Sequence, residues 1–454
     1  MTPAARLQAA IEILDALEST PAPADRFIRD WFRRRRYAGS KDRASIAERV
    51  FDVLRHRAFL SWRMGSENSR ALVIGTLLRD GANPESIRAL FSGDGYGPAP
   101  LSDDEIGAVR NPPLGDPPLW VQGGYPQWLE AELTRALGAD LLDEMTAMQG
   151  RASVDLRVNT LKATRADVLS ALKAQGFEAT TTRTSPFGIR VAPGASGLDK
   201  TKLFQSGAFE LQDEASQIAS LLIDAKPGMR VLDLAAGGGG KSLAMAATMN
   251  NEGEIVATDI DAGRLQQLAI RAERAGVTII KLPPPERGRA ASASEPSGGQ
   301  ATQRSGMIPP RNLPTANFDP PFSREGFDRV LVDAPCSGTG TWRRQPELRW
   351  RLTPERLDAL RKTQDWLLDD GARHTRPGGR LIYATCSLLP CENEDRIEAF
   401  LARHSDFAIV PVRTIWPESI GTDPPHGLSD FFRARPWKTG TDGFFTAILQ
   451  RRDG

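Results

Sequence analysis

The chain has 454 residues, too many for one ordinary domain, so two or three are expected. Its 40% apolar and 25% charged residues describe a soluble globular protein. The net charge of +1 excludes any bulk electrostatic argument for nucleic acid, so a basic patch would have to be local. Three cysteines, Cys336, Cys386 and Cys391, are too few for a disulfide framework and point to reduced thiols in a cytoplasmic protein. The amphipathic start is unlike an export signal, and no apolar run is long enough for a membrane span.

Thr2-Pro3 is a helix start, followed by Leu7, Ala10, Ile11, Leu14 and Leu17 at helical spacing. Further helices are expected over Asp25–Arg36, Lys41–Met64 and Ser69–Leu78. The Gly- and Pro-rich stretch Ser92–Pro118 reads as a linker, giving a helical domain over 1–118. Within it "WFRRRRYAGSKDR" is the densest basic stretch. It reads either as a solvated helix end or as a phosphate-contacting face through Arg33, Arg34, Arg35 and Arg36. A small α+β segment follows over 119–203, with "VDLRVNT", "FEATTT" and "GIRVAP" as strands and "TRADVLSALKAQG" as a helix.

From 204 to 454 strands and helices alternate, which implies a mostly parallel sheet covered on both faces. The strands are "MRVLDLA", "GEIVATDI", "FDRVLVDAP", "GGRLIYATCS" and a closing "DGFFTAILQR". Residues 283–321 interrupt this rhythm with Pro, Gly, Ser and Arg and read as a disordered insertion.

The glycine turn "DLAAGGGGKS" sits where an open parallel sheet binds ligands, past the end of a strand. It misses the nucleoside-triphosphate loop by one residue, Ala235, and misses the dinucleotide fingerprint at its last position. S-adenosylmethionine is a third candidate, since it needs no anion-binding groups and its ribose would suit Asp259 at the end of the next strand. The turn by itself leaves the three classes open, beside the plain reading of a turn that only packs.

Cys336 in "DAPCSGTG" and Cys386 in "YATCS" fall at the ends of two later strands, beside one presumed cleft. Either alone would pass for a small buried apolar residue. The scattered Cys and His spacing argues against zinc, and no metal is expected.

"DAPCSGTG", "YATCSLLPCENE", "FELQDEASQ", "LRVNTLK" and "TDGFFTAIL" resemble the NOL1/NOP2/Sun family of RNA 5-methylcytosine methyltransferases, and its bacterial RsmB-like members in particular. The resemblance implies an α/β fold: a Rossmann-like class I S-adenosylmethionine-dependent methyltransferase domain. Before it would come the small α+β segment and a helical N-terminal domain of NusB-like kind. It implies Cys386 as the nucleophile toward carbon 6 of cytosine, Cys336 in the release step, and Asp333 on the base. Lys241 would orient Asp333 or lower a thiol pKa. S-adenosylmethionine would lie on Asp233, Ala235, Ala236, Gly237, Gly238, Gly239, Gly240 and Lys241, with Asp259, Arg264 and Asp333 around it. Two departures stand out: Gly238 replaces the family's proline, and "VTIIKLPPP" lacks the acid that contacts the adenine, a role left to another residue such as Asp319.

RNA contacts are expected from Arg33 to Arg36, from Arg157 and Asn159, and from Arg343 and Arg344 of "TWRRQPELRWR"; the alternative for that segment is that Trp342 and Trp350 are core. The partner expected is RNA, ribosomal before transfer RNA, and the protein is expected to be a monomer. The rival function is an RNA-binding assembly factor without turnover; a nucleotide hydrolase is more remote.

Overall fold

The computed structural model describes residues 1–35, 37–283, 326–420 and 429–453. The chain packs as two units, residues 1–150 with 341–352, and residues 151–340 with 353–454. No helix among the described residues is long and apolar enough to cross a membrane.

The first unit is helical. Thr2 caps the opening helix Pro3–Glu18 by accepting from the Ala5 N–H. Next come Ala24–Arg33, Ser40–Met64 and Ser69–Arg79, with Leu14, Phe32, Val53, Leu60 and Ile74 in one core. The second helix stops at Arg33, short of the expected Arg36, which lies outside the described residues. The expected linker contains a helix of its own, Asp103–Arg110, started by a reciprocal Ser102–Glu105 capping box. Helices Leu119–Gly123, Glu130–Leu137 and Leu141–Gln149, expected in the α+β segment, pack with this unit.

The second unit contains two sheets. Four short strands, β1 (Val154–Val158), β2 (Ala179–Thr181), β3 (Gly188–Val191) and β4 (Phe209–Leu211), pair antiparallel in the order β2-β3-β1-β4. The larger sheet holds β5 (Arg230–Asp233), β6 (Glu254–Ala257), β7 (Ile280–Lys281), β8 (Phe327–Asp333), β9 (Thr375–Thr385), β10 (Phe407–Ile409), β11 (Phe432–Ala434) and β12 (Phe444–Arg451). Its order is β10-β12-β9-β8-β5-β6-β7, with β11 beside β12. The pairings from β7 across to β9 are parallel, and β12 runs antiparallel against β9.

Both faces of this sheet are covered, which explains strands that read as unbroken apolar runs. Val231, Ile255, Leu331 and Ile382 enter one core with the helices Gly240–Thr248 and Ala262–Ala275. Their neighbours Leu232, Val256, Val332 and Tyr383 enter the other, with Pro354–His374 and Glu394–Arg403. The chain leaves β5 for β6 on one side, and β8 pairs with β5 on the other. The direction of winding therefore reverses beside β5, where such sheets open a crevice past their strand ends. All of the 283–321 insertion except Pro283 lies outside the described residues, Asp319 included.

Candidate active site

Asp233 ends β5 and is 1% exposed. Its Oδ2 accepts from the Ser242 hydroxyl at 2.5 Å, while Oδ1 is buried with no partner. Burial pushes this carboxyl up to about 7, helped by the charges of Asp333 and Asp259 and opposed by Ser242 and Lys241. After Asp233 the chain turns through Ala235 and Ala236, the latter donating its N–H to the Thr258 carbonyl at 2.8 Å. Gly237 and Gly239 have φ of 55° and 80°, the left-handed region where glycine carries no Cβ penalty. Nothing stands within 4 Å of where a Gly237 side chain would be, whereas one on Gly239 would sit 2.0 Å from Leu268 Cδ1. The next helix starts at Gly240 and carries Lys241 and Ser242 on its first turn.

Gly238 lies between the two left-handed glycines but is not itself among them. Its carbonyl accepts from the Arg271 guanidinium, and Arg271 is held by Glu210 at 3.0 Å. Glu210 is 3% exposed and also takes Arg274. The residue that replaces the family's proline is thus fixed from outside the turn.

Asp259 follows β6. Its Oδ2 accepts from the Gly237 N–H at 2.8 Å and its Oδ1 from the Asp261 N–H at 2.8 Å, which ties the acid to the glycine turn. Arg264 is 4.0 Å from Asp259 and its side chain is 63% exposed, so it borders the turn from the solvent side. At the end of β7, where the family resemblance implies an adenine-contacting acid, Lys281 pairs with Glu254 at 2.5 Å. These residues fit S-adenosylmethionine. An orphaned acidic oxygen on Asp233 is available to a cationic amino group, the space at Gly237 is open, and Asp259 has oxygen lone pairs for ribose hydroxyls.

On the other side of Asp233, Asp333 ends β8 and accepts from Lys241 Nζ at 2.6 Å. Lys241 is 8% exposed and its ammonium lies 4.9 Å from the Phe444 ring centre. Lys241 thus contacts Asp333, the partner named in one of its two expected roles. Cys336 and Cys386 bring their sulfurs to 3.4 Å. The Cys386 loop is pinned by the Gly340 N–H donating to the Cys386 carbonyl at 2.9 Å, and Gly340 accepts in turn from the Gly443 N–H at 2.8 Å. A side chain on Gly443 would meet Leu388 Cδ2 at 2.6 Å and Gly340 Cα at 2.7 Å, which accounts for the glycine in "TDGFF". The Cys336 thiol is pushed well above its ordinary value, first by its hydrogen bond to Cys386, then by burial and by the charges of Cys386 and Glu392. Cys391 is buried, as its structural reading expects.

The residues expected on RNA scatter. Arg33 and Arg34 are exposed, Arg33 beside Asp30 at 3.0 Å, and Arg35 stacks 3.9 Å over the Trp31 ring. Arg157 and Asn159 are buried. Arg157 donates to Gln212 at 2.6 Å, and the Asn159 amide donates to the Gly207 and Ala275 carbonyls at 2.9 Å each, so both serve the fold. Arg343 is buried in the helical unit with Trp342, which is 0% exposed as the core alternative has it, while Trp350 and Arg344 are half-buried. Sequence reasoning missed Arg271, Glu210 and Glu392. Only Glu392 had a visible signal, the "CENE" run just after Cys386.

Two families match. The one described as 16S rRNA methyltransferase RsmB/F covers residues 220–290 and 311–450, and the RsmF/B-like ferredoxin-like domain covers 125–196. A probable ribosomal RNA small subunit methyltransferase B of Synechocystis sp. is 31% identical over 73% of this chain and 68% of its own. A 28S rRNA (cytosine-C(5))-methyltransferase of Mus musculus is 31% identical over 73% of this chain and 71% of its own. The crystal structure of PH0851 shares 26% identity and a TM-score of 0.74, covering 99% of both chains. With its Rossmann-like sheet and its glycine turn, the chain belongs to the RsmB/F family of S-adenosylmethionine-dependent RNA methyltransferases.

Proposed function

We propose that the protein methylates carbon 5 of a cytosine in small-subunit ribosomal RNA through a covalent adduct on Cys386. The observation that carries this reading is the pair of sulfurs 3.4 Å apart, beside the Lys241–Asp333 ion pair at the ends of neighbouring strands. Carbon 5 of cytosine is too weak a nucleophile to take a sulfonium methyl group directly. The Cys386 thiolate adds to carbon 6, and the displaced electron pair makes carbon 5 nucleophilic. Asp333, steadied by Lys241, holds the base at ring nitrogen 3 and its amino group. Bound S-adenosylmethionine supplies the electrophilic methyl group. The carbon 5 proton then leaves to a base, the carbon 6–sulfur bond breaks, and its electron pair returns to Cys386. Cys336, adjacent to that sulfur, serves the release step. The target base has to be unstacked to reach two thiols, which favours a loop or an early ribosomal RNA. The choice of small-subunit RNA rests on relatives named for it, the carbon 5 chemistry on the mouse relative. Arg33 and Arg34 supply exposed positive charge for the phosphates.

The test is methyl transfer from labelled cofactor to naked small-subunit RNA, small subunits and transfer RNA, with the modified base mapped. Cys386→Ala is expected to give no product and Cys336→Ala a trapped protein–RNA adduct. An adduct formed by Cys386→Ala would refute the covalent assignment. Transfer to transfer RNA alone would move the substrate, and cofactor binding without transfer to any RNA would favour an assembly factor.

A further inference from the structure

Glu392 is a buried acid tied to the loops of both cysteines. It ends the short turn Pro390–Glu392 and is 0% exposed. Its Oε1 accepts from the Ser337 backbone N–H at 2.8 Å and from Gln364 Nε2 at 3.0 Å. Its Oε2 accepts from the hydroxyls of Ser337 and of Ser387, the latter at 2.5 Å. Ser337 follows Cys336 and Ser387 follows Cys386, so one carboxylate joins both cysteine loops. Gln364 extends the tie, since its amide also donates to the Pro335 carbonyl at 3.0 Å, on the other side of Cys336. The turn is anchored in its own right: Tyr383 donates to the Glu392 carbonyl at 2.6 Å, and Asn393 donates to the Ser387 carbonyl at 3.0 Å.

Four donors converge on its two oxygens: a backbone N–H, an amide and two serine hydroxyls. Among the described residues no cation forms an ion pair with Glu392. The nearby Arg396 is paired with Asp365 at 2.6 Å. Tyr383, also in this region, is held neutral by burial and then by the charges of Glu392 and Cys336. Glu392 also acts electrostatically on Cys336, raising its thiol.

We infer that Glu392 is a positioning residue for the methyl-transfer reaction, clamping the two cysteine loops at contact distance and biasing the shared proton toward Cys336. Cys336 then donates its S–H to Cys386, and the two sulfurs enter the reaction with different protonation, as two different roles require. This rests on the covalent two-cysteine reading, but its test does not depend on turnover alone.

The full-length protein and Glu392→Gln are alkylated with iodoacetamide across pH 6 to 10, and labelling is assigned to each cysteine by peptide mass. Cys336 in the unsubstituted protein is expected to react only at the alkaline end. In Glu392→Gln its profile is expected to move about one pH unit lower, and single-turnover methyl transfer to fall about 100-fold with cofactor affinity held within about threefold. A folded Glu392→Gln protein with an unmoved Cys336 profile, or with full transfer, overturns the inference. Should Glu392→Gln fail to fold, Ser387→Ala cuts the link to the Cys386 loop while leaving the charge. It is expected to slow transfer without moving the Cys336 profile, and unimpaired transfer in it refutes the clamp. Transfer retained by Cys386→Ala would instead sink the covalent reading and leave the labelling comparison standing.

Discussion

Two adjacent glycines in the cofactor turn are expected to answer the same substitution in opposite ways. At Gly239 an alanine would adopt φ of 80°, which costs about 1–2 kcal/mol. Its Cβ would also stand 2.0 Å from Leu268 Cδ1 and 2.9 Å from Leu268 Cγ, and relieving such overpacking costs about 1–3 kcal/mol. Gly239→Ala is thus expected to destabilise by about 3 kcal/mol, roughly 6–12 °C in Tm for a unit of this size. Part of that distortion falls on the turn itself, so affinity for S-adenosylhomocysteine should drop about tenfold or more. At Gly238 the backbone is outside the left-handed region, and a Cβ meets only the Arg271 guanidinium tip at 3.2 Å, a contact that a few tenths of an ångström relieve. There the dominant effect is on the unfolded chain, and Gly238→Ala is expected to stabilise by about 0.4–1 kcal/mol with ligand affinity unchanged. Arg271→Leu removes the external pin on Gly238, so the gain from Gly238→Ala should be larger in that background by about 0.5 kcal/mol or more. Thermal unfolding and calorimetric titration of the parent and these four variants read all of this. A Gly238→Ala protein destabilised by more than about 1 kcal/mol would refute the reasoning, as would a neutral Gly239→Ala.

Asp233 is expected to make cofactor binding depend on pH. Its carboxyl is raised from 3.8 to about 7, so across that window the folded protein holds a proton that the unfolded chain has released. Stability of the ligand-free protein from this group therefore falls as pH rises through the window. A cationic ligand group on the orphaned oxygen displaces the proton, so S-adenosylhomocysteine affinity should rise from pH 6 to 8 with proton release measurable in two buffers, and Asp233→Asn should flatten both. In the helical unit, Arg349 is 0% exposed and donates to the carbonyls of Gly124 at 2.6 Å and Arg55 at 3.2 Å. Arg349→Met retains volume but strands these acceptors, and about 3 kcal/mol of destabilisation is expected, read by hydrogen exchange in the helix Ser40–Met64. Loss of less than about 1 kcal/mol would show that water or relaxation replaces the guanidinium.

What could be read from the sequence follows from what each signal measures. Asp233, Asp259 and Asp333 were visible because each ends an apolar run, and a strand end in a parallel sheet is a ligand position. The internal hydrogen bonds of Arg157 and Asn159 were not legible, because alternation does not say whether a polar side chain near a short strand meets solvent or a backbone carbonyl. Here the Asn159 partners come from Gly207 and Ala275, far along the chain. Sequence proximity to Cys336 did not show where the arginines and tryptophans that follow it pack: residues 341–352 belong to the helical unit, where Glu347 accepts from the Ala24 N–H at 2.9 Å at the start of a helix. Glu392 was hidden because an acid just before a helix normally reads as a favourable first-turn charge, and only the folded loops show that its oxygens face inward.

The same reasoning explains why the reactive groups converge although they are scattered along the chain. Lys241 follows β5, Asp333 and Cys336 follow β8, and Cys386 follows β9, and these three strands are neighbours only because β8 takes the place beside β5 that β6 leaves free. The parallel register sets Asp333 opposite Ala384, so the "DAPC" and "TC" turns leave the sheet at the same level. A one-residue slip between β8 and β9 would send every side chain of one strand to the opposite core and could not be tolerated with both faces buried. The 3.4 Å approach of the sulfurs is therefore specified first by core packing of Val330, Val332, Leu381 and Tyr383. It is then trimmed by the hydrogen bonds of Glu392. Cavity-forming changes in those core residues should disturb the reaction before they unfold the sheet, because the site depends on strand level and the fold only on burial.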